Sequence, residues 1–279
     1  MKTVIVTGGA GGMGLATAKI MGADHRVVIA DVDQARLDAA VAELLARGVQ
    51  ARANACDITD RAAVDALIAE GNKDGDLRAV VHTAGVSPLM GSAERIMRIN
   101  ALGTVNVTRS ALEVATEGFA LVNVASIAGH LLPGFFTPTR IFKLALTDPE
   151  RFAVRIVAKA GRGTSARASG SSYSLSKNFV IWYSAKMAAA FGARGARVLS
   201  VSPGSFDTAM GNLEKKSGSA KMIEFAALKR FGTPEEMGDL LAFCAGPRAG
   251  YLTGIDILCD GGTRAGLDFK ALLSLARGA

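Results

Sequence analysis

The stretch "TVIVTGGAGGMG", residues 3–14, decides the fold of this chain. A short run rich in β-branched residues enters a glycine-rich turn, and "GLATAKIMG" follows at residues 14–22 with helical spacing. Glycines allow the backbone to approach a ligand closely, and the free N–H groups at a helix start attract phosphate. A strand, a glycine loop and a helix in this order therefore indicate a dinucleotide-binding unit.

The alternation of strand and helix continues along the chain. Six further apolar runs predict strands, at residues 26–31, 49–57, 77–85, 119–126, 196–204 and 254–262. Segments with helical spacing and glycine stops lie between them. Strands that alternate with helices form parallel sheets covered on both faces. We therefore expect an α/β, Rossmann-type, doubly wound fold with a seven-stranded parallel sheet.

Length and composition favour one domain that spans residues 1–279. The hydrophobic fraction is 49%, and no polar linker interrupts the apolar segments. Cys56, Cys244 and Cys259 form no C-x-x-C pair and no Cys/His cluster, so we expect a reducing compartment and no metal site. No signal peptide or membrane-spanning run precedes the first strand, so we expect a cytoplasmic protein without a membrane partner.

Most of the net charge of +7 comes from one segment of the chain. Residues 131–170 hold seven basic and two acidic side chains, which is five of the seven excess positive charges. Nucleic-acid binding needs a basic stripe together with a supporting motif, and no such motif occurs here. We therefore expect no nucleic-acid partner.

Asp31, at the end of the second predicted strand, bears on the choice of cofactor. A carboxylate about twenty residues after the glycines can accept hydrogen bonds from the adenosine ribose and repels the 2′-phosphate of NADP. No Arg or Lys lies in the glycine loop or directly after Asp31. We therefore expect NAD. The alternative that Asp31 or Asp33 caps the next helix is compatible with this role.

Tyr173 and Lys177 in "YSLSK" stand at i and i+4, so they share one face of a helix. A free tyrosine ionises near pH ~10, so a tyrosine that acts as a base near neutrality needs its phenolate form stabilised by about 4 kcal/mol. A neighbouring ammonium and the start of a helix both supply this stabilisation. Ser126 ends the fifth strand segment, and by itself it could equally be a turn or cap residue.

Taken together and in this order, the motifs make the chain resemble the classical short-chain dehydrogenase/reductase family over residues 1–262. The matching segments are "TGGAGGMG" (7–14), "CDITD" (56–60), "INALGTVNV" (99–107), "NVASIAG" (123–129), "YSLSK" (173–177) and "PGSFDT" (203–208). The segment before Asn100 is short and the one between Ser126 and Tyr173 is long. This layout is similar to the bacterial 3α-hydroxysteroid dehydrogenase/carbonyl reductase branch.

The resemblance implies four catalytic residues. Tyr173 would exchange a proton with the substrate oxygen, and Ser126 would hydrogen-bond that oxygen. Lys177 would lower the pKa of the tyrosine and hold the nicotinamide ribose, and Asn100 would support a water and proton path.

The resemblance also implies cofactor-binding positions. They are Gly8, Gly12, Met13, Gly14, Asp31, Asp57, Ile58, Ala84, Gly85, Tyr173, Lys177, Pro203, Gly204, Phe206 and Thr208. The chain departs from the family's N-N-A-G pattern at "HTAG", residues 82–85. We expect His82 to be a structural residue at the strand end.

A helical insertion is expected at about residues 130–170, before the Tyr-x-x-x-Lys helix. In "TDPERFAVRIVAKAG", Asp148 is a candidate N-cap, Pro149 the first helical residue and Gly161 the stop. The apolar stripe is Phe152, Ile156, Val157 and Ala160, and the basic residues are Arg151, Arg155, Lys159 and Arg162. A second helical piece is expected in "TPTRIFKLAL", residues 137–146.

Two interpretations of the insertion stay open. It could be a two-helix cap with a solvated basic face. Alternatively, it could enclose an apolar pocket suited to a steroid, a terpene or another alicyclic secondary alcohol. Candidate pocket walls are Leu131, Leu132, Phe135, Phe136, Phe206, Met210, Met222 and Phe225.

The first functional hypothesis is an NAD-dependent oxidoreductase that interconverts a bulky hydrophobic secondary alcohol and its ketone, with hydride transfer at C4 of the nicotinamide. The alternative is an oxidoreductase of 3-hydroxyacyl or 3-oxoacyl thioesters, whose phosphate or carboxylate groups the basic cap would meet. A third is a catalytically silent NAD-sensing protein. We expect a homodimer, because the cap can block the face used in family tetramers, with a homotetramer as the alternative.

Overall fold

The computed structural model describes residues 1–132, 134, 137–160, 166–214 and 222–267, without the side chains of residues 166, 167 and 214. Its strands form one sheet in the order β3-β2-β1-β4-β5-β6-β7, and every neighbouring pair is parallel. The strands are β1 Lys2–Thr7, β2 His25–Asp31, β3 Ala51–Ala55, β4 Leu77–His82, β5 Ala120–Val124, β6 Arg197–Pro203 and β7 Asp256–Cys259. Each overlaps one predicted strand, so the predicted fold class is confirmed.

Helices follow most of the strands. They are α1 Gly12–Met21, α2 Gln34–Ala46, α3 Arg61–Gly71, α4 Ala93–Ile96, α5 Gly103–Val114, α6 Thr139–Phe142, α7 Leu144–Thr147, α8 Pro149–Ala160, α9 Ala166–Gly192, α10 Ala209–Glu214, α11 Pro234–Ala245 and α12 Thr263–Gly266. A π-helical turn, Met97–Leu102, joins α4 to α5. Short 3₁₀ turns occur at Pro88–Met90, Ile127–His130 and Pro247–Ala249.

Polar side chains set several helix starts. The carboxylate of Asp33 accepts a hydrogen bond from the backbone N–H of Arg36 and caps α2. Asp60 caps α3 in the same way. Thr233 and Glu236 form a reciprocal capping box at α11. These caps satisfy backbone donors that have no partner within the first helical turn.

The sheet is buried on both faces. Along β1, Val4 and Val6 belong to one core cluster and Ile5 belongs to the other, because successive side chains of a strand point to opposite faces. β1 has β2 on one side and β4 on the other, so the direction of winding changes between β1 and β4. Ligands of such sheets bind beyond the carboxyl ends of the strands at this switch point.

The insertion forms α6, α7 and α8. The Asp148 carboxylate accepts a hydrogen bond from the backbone N–H of Arg151 at 2.9 Å, and Pro149 is the first residue of α8, as expected. Phe152 and Ile156 are fully buried, whereas Arg151 and the other described basic residues, Arg155 and Lys159, are exposed. The predicted apolar stripe is therefore confirmed. Gly161 and Arg162 lie outside the described residues.

An aromatic cluster attaches the insertion to the body of the protein. Phe152 of α8 stacks on Phe179 of α9 with ring centroids 4.6 Å apart, and Phe142 of α6 meets the same ring edge-on at 5.0 Å. Tyr183 stacks on the other side of this cluster at 5.2 Å from Phe179, and Trp182 lies 5.5 Å from Phe142. Such aromatic pairs add to the free energy of burial. The insertion is therefore fixed to the helix that carries Tyr173 and Lys177.

Within the described ranges, no helix combines the length and the apolar character needed to cross a bilayer.

Candidate active site

The glycine loop after β1 packs against the backbone after β4. Gly8 has φ +67°, and a β-carbon there would lie 2.8 Å from the backbone nitrogen of Ala84. A β-carbon at Gly14 would lie 2.7 Å from the hydroxyl of Thr83. Both positions therefore require glycine, and the start of α1 remains open at the switch point. A bare backbone cradle at a helix start fits a pyrophosphate.

The segment after β6 lies across from this loop. A β-carbon at Gly12 would lie 3.5 Å from Cγ2 of Thr208, so the two segments face each other. The Thr208 hydroxyl accepts a hydrogen bond from the backbone N–H of Gly211 at 2.9 Å. Pro203 is the last residue of β6. Both segments therefore lie at the carboxyl edge of the sheet, the edge where ligands of such sheets bind.

Phe206 differs from expectation. Its side chain is buried in the second core cluster, and its ring lies against Gly232, where an added β-carbon would be only 2.5 Å from the ring. The ring therefore packs the loop between β6 and α11 and does not stand out as a pocket wall, because burial against Gly232 leaves little of it exposed.

Two carboxylates follow the neighbouring strands β2 and β3. The Asp31 carboxylate accepts a hydrogen bond from the backbone N–H of Val32 at 2.8 Å, while Asp33 provides the helix cap. Asp57 is exposed and accepts hydrogen bonds from the N–H and the hydroxyl of Thr59. Asp33, and not Asp31, therefore caps α2, and Asp57 lines an open cavity of about 320 Å³.

Arg36 brings a positive charge to the glycine loop. A β-carbon at Gly11 would lie 2.6 Å from Nη2 of this arginine, so the guanidinium lies directly over the loop. Among the described residues, the guanidinium has no hydrogen-bond or ion-pair partner. The local sequence around Asp31 did not predict a cation here, because Arg36 reaches the loop from the first turn of α2.

Asn100 lies in the π-helical turn and is almost fully buried. Its Oδ1 accepts a hydrogen bond from the backbone N–H of Val86 at 2.9 Å, and its Nδ2 donates to the Val86 carbonyl at 3.0 Å. Nδ2 also donates to the hydroxyl of Ser176 at 3.2 Å. Asn100 therefore ties the segment after β4 to α9. π-helical turns occur often at functional sites.

Lys177 converges on the same point. A β-carbon at Gly85 would lie 3.2 Å from Oδ1 of Asn100 and 3.4 Å from Nζ of Lys177. Nζ donates a hydrogen bond to the carbonyl of Val124, the last residue of β5, at 2.9 Å. It also lies 5.9 Å from the centroid of the Tyr173 ring. The lysine, which is buried, therefore brings a cation to the carboxyl edge of β4 and β5.

Ser126 lies two residues beyond the end of β5, at the same edge. Its side chain is 8% exposed, and its hydroxyl oxygen accepts a hydrogen bond from the backbone N–H of Ala128 at 3.2 Å. It therefore caps the 3₁₀ turn Ile127–His130. Its hydroxyl hydrogen is still available for donation to a bound oxygen, because this contact uses only an acceptor lone pair.

The sequence did not reveal the supporting residues of this site. Ser176 receives the Asn100 amide, and its only signal was its position inside "YSLSK". Thr104 donates to the carbonyl of Asn100 at 2.7 Å, one helical turn after it. Neither residue carries chemistry that a motif would single out, since hydroxyl side chains of this kind are common in helices.

Two family models match the chain. The "short chain dehydrogenase" model matches residues 2–147, and the "Enoyl-(Acyl carrier protein) reductase" model matches residues 153–264. The chain belongs to the short-chain dehydrogenase/reductase family. It is therefore an oxidoreductase of this family, whose nucleotide-binding fold takes a nicotinamide cofactor.

Relatives and solved structures match nearly the whole chain. Short-chain dehydrogenase/reductase bsc3 of Alternaria brassicicola is 29% identical over 270 residues, covering 95% of this chain and 96% of that protein. 2-(S)-hydroxypropyl-CoM dehydrogenase 3 of Xanthobacter autotrophicus is 27% identical over 282 residues, covering 95% and 97%. A short chain dehydrogenase from Burkholderia cenocepacia J2315, solved in complex with NADP, superposes with a TM-score of 0.74 at 25% identity, covering 94% and 98%.

Proposed function

We propose that this protein is an NAD-dependent oxidoreductase that interconverts a bulky hydrophobic secondary alcohol and its ketone. The observation that carries the proposal is the convergence of Lys177 and Asn100 at Gly85, beside the switch point of the sheet, with the Tyr173 ring 5.9 Å from the lysine nitrogen. This arrangement sets a cation beside a tyrosine at the edge where the family's cofactor binds.

Tyr173 is proposed as the general acid and base. In the oxidative direction its phenolate oxygen takes the hydroxyl proton of the alcohol, and in the reverse direction its phenol returns it. The ammonium of Lys177 stabilises the phenolate electrostatically. Ser126 donates its hydroxyl hydrogen to the substrate oxygen and holds it in place. A bound nicotinamide supplies the acceptor, or the donor, of the hydride that leaves or enters the carbinol carbon.

Asn100 is proposed to support proton supply to this pair. Its side-chain amide is already saturated by Val86 and Ser176, so it does not reach the substrate. Its hydrogen bonds instead hold the segment after β4 beside Lys177, where a water could accept a proton from the ammonium while the lysine takes up the proton that Tyr173 received from the alcohol.

The choice of NAD rests on Asp31. Its carboxylate follows β2, where it can accept hydrogen bonds from the ribose hydroxyls of the adenosine. Asp57 and the buried Ile58 are proposed to border the adenine. Arg36 acts in the opposite direction, because a guanidinium over the glycine loop favours a 2′-phosphate. We therefore propose that NAD is preferred and that NADP is also accepted.

A secondary alcohol is supported by a relative, and the insertion provides candidate walls for the substrate pocket. A second cavity, of about 180 Å³, lies between the insertion and α9, and its lining is Leu132, Lys159, Ala160, Ser171, Ser172 and Leu175. Leu131 and the half-buried Met210, Met222 and Phe225 remain candidate walls, whereas Phe135 and Phe136 lie outside the described residues. The 2-(S)-hydroxypropyl-CoM dehydrogenase relative acts, by its name, on a secondary alcohol.

Acyl thioesters are a second candidate substrate class. The segment from residue 153, within α8, to residue 264 matches a family model described as an enoyl-(acyl carrier protein) reductase. The exposed Arg151, Arg155 and Lys159 could meet the phosphates of such a substrate. Strong inhibition of turnover by free CoA, relieved by salt, would favour this class over the hydrophobic alcohol.

One screen tests the proposed function. The purified protein is given NAD, and NADH formation is followed across steroid, terpene and alicyclic secondary alcohols, sugars and 3-hydroxyacyl thioesters. We expect the highest kcat/KM with the alicyclic alcohols and a loss of about 10²–10⁴-fold in the Tyr173→Phe variant. Turnover confined to the thioesters would overturn the substrate class while leaving the catalytic residues in place.

A homodimer is proposed as the assembly. Helix α8 packs against α4, the π-helical turn and α9, and so covers one helical face of the body. Light scattering tests this proposal, and a tetramer would contradict it.

A further inference from the structure

His82 joins two parts of the site that are distant in sequence. Its Nδ1 lies 2.7 Å from the hydroxyl oxygen of Thr7, the residue before the glycine loop. Its Nε2 lies 3.2 Å from the hydroxyl oxygen of Thr104. Thr104 in turn donates to the backbone carbonyl of Asn100 at 2.7 Å. These contacts form one buried hydrogen-bond chain from Thr7, before the glycine loop, to the π-helical turn.

The direction of each hydrogen bond follows from counting hydrogens. Thr104 has one hydroxyl hydrogen, and its short contact to the Asn100 carbonyl uses it. His82 must then donate the hydrogen bond to the Thr104 oxygen, so Nε2 carries the proton. A neutral imidazole leaves Nδ1 as an acceptor, which takes the hydroxyl hydrogen of Thr7. The Thr7 oxygen still accepts from the N–H of Ala84 at 3.4 Å.

The imidazole is neutral because of where it lies. His82 is 2% exposed. Burial first, and then repulsion by the Lys177 ammonium, lower its pKa to about 3. The imidazole therefore stays neutral throughout the physiological range, and the hydrogen bond from Thr104 to the Asn100 carbonyl then selects the Nε2–H tautomer.

The opposite tautomer would change the site. With the proton on Nδ1, Thr104 would have to donate to Nε2 and would release the Asn100 carbonyl. The observed distances favour the first arrangement, since the contact from Thr104 to the Asn100 carbonyl, 2.7 Å, is shorter than the one to His82, 3.2 Å.

We propose that His82 is a positioning residue: as the Nε2–H tautomer, it transmits a directed hydrogen-bond chain from Thr7 through Thr104 to the Asn100 carbonyl, and it holds the phosphate loop and the π-helical turn in register. An effect on turnover rests on the proposed function, in which Tyr173 and Lys177 are catalytic. Asn100, held by this chain, hydrogen-bonds Val86 and Ser176, which lie next to that pair.

Nitrogen-15 NMR of the imidazole tests the tautomer directly, in the whole protein and without any substrate. We expect a protonated, pyrrole-like Nε2 and an unprotonated, pyridine-like Nδ1 for His82, unchanged between about pH 5 and pH 8. A protonated Nδ1, or a signal that titrates in this range, overturns the inference whatever the enzyme's activity.

Matched substitutions test the chain of contacts. Thr104→Val removes its hydroxyl, and Thr104→Ser keeps it. The control is Thr108→Val, one turn further along α5 and equally buried. We expect Thr104→Val to lower kcat about tenfold with little change in the KM for NAD, and Thr104→Ser to restore most of it. An equal loss in Thr104→Val and Thr108→Val would overturn the positioning role. NAD binding without turnover in the wild type would instead count against the proposed function.

Discussion

Nζ of Lys177 lies 5.9 Å from the centroid of the Tyr173 ring and is anchored by the carbonyl of Val124. Because the anchor is a backbone group of β5, the ammonium is held in a fixed position beside the ring. Lys177→Met should therefore reduce kcat by at least about a hundredfold and move the alkaline requirement of the oxidation up by about 1–3 pH units. Steady-state rates across pH measure both effects.

The matched control for this change is Lys186→Met on the same helix, whose side chain is exposed. It should leave the pH profile unchanged. An unshifted profile in Lys177→Met would contradict the electrostatic role of the lysine.

Tyr173→Phe should abolish most of the turnover while leaving the fold intact. The substitution removes one hydroxyl from a half-buried ring on α9. Loss of a general acid and base lowers rates by about 10²–10⁴-fold. Binding of NADH, followed by its fluorescence, should be nearly unchanged. A variant that retains most of its kcat would remove Tyr173 from the chemistry.

Asp31 and Arg36 should have opposite effects on the adenosine end of the cofactor. The test compares the Kd values of 5′-AMP and 2′,5′-ADP, which differ only in the 2′-phosphate. We expect Asp31→Ala to lower the Kd of 2′,5′-ADP and to raise the Kd of 5′-AMP. Arg36→Ala should raise the Kd of 2′,5′-ADP about tenfold and change the Kd of 5′-AMP little, because the substitution removes one charge-assisted contact to the 2′-phosphate.

Arg47→Ala, at the far end of α2, is the charge-matched control for Arg36. It should leave the ratio of the two Kd values unchanged. Equal weakening of both nucleotides in Arg36→Ala would show a general effect of charge and not recognition of the phosphate.

His82 should make the folded protein sensitive to acid. Its pKa is lowered to about 3 in the folded state, whereas an unfolded histidine titrates near ~6.5. Between these values the unfolded chain binds a proton that the folded chain does not. The free energy of unfolding should therefore fall as the pH falls below about 6.5, by up to about 1.4 kcal/mol per pH unit.

Urea denaturation of the wild type and of His82→Asn at several pH values isolates this effect, since the carboxylates titrate equally in both proteins. The variant should show a flatter profile than the wild type between about pH 4 and pH 6.5. Parallel profiles for wild type and His82→Asn would be inconsistent with a neutral buried imidazole.

Phe152 should be essential for attachment of the insertion. It is fully buried and stacks on Phe179, so Phe152→Ala should lower the free energy of unfolding by about 3–5 kcal/mol. Val154→Ala is the control on the same helix, because Val154 is 69% exposed and should change stability by less than about 0.5 kcal/mol. Similar values for the two variants would contradict the anchoring role of the aromatic cluster.

Regular periodicity made most of the fold predictable. The seven strands, the cap at Asp148 and the stripe of Phe152 and Ile156 each follow from local patterns, since burial and capping act over a few neighbouring residues. The Tyr173–Lys177 pair was predictable for the same reason, because four residues form about one helical turn.

The rest depends on contacts between distant segments. Met97–Leu102 reads as ordinary helix in sequence, yet it forms a π-helical turn where Asn100 meets Val86 and Ser176. The approach of Arg36 to Gly11 and the burial of the Phe206 ring against Gly232 are likewise products of tertiary packing. Local pattern carries no signal for such contacts, because the partners are separated along the chain, by 14 residues for Asn100 and Val86 and by 76 for Asn100 and Ser176, and only the fold brings them together.

The aromatic cluster of Phe142, Phe152 and Phe179 determines which surface of the insertion tolerates substitution. The aromatic cluster anchors the inner face of the insertion, while Arg151 and Arg155, on its outer face, are exposed. Variation on the outer face is therefore uncoupled from the geometry of Tyr173 and Lys177. A library of variants restricted to the outer face would therefore change surface charge in a scaffold whose reaction chemistry stays constant.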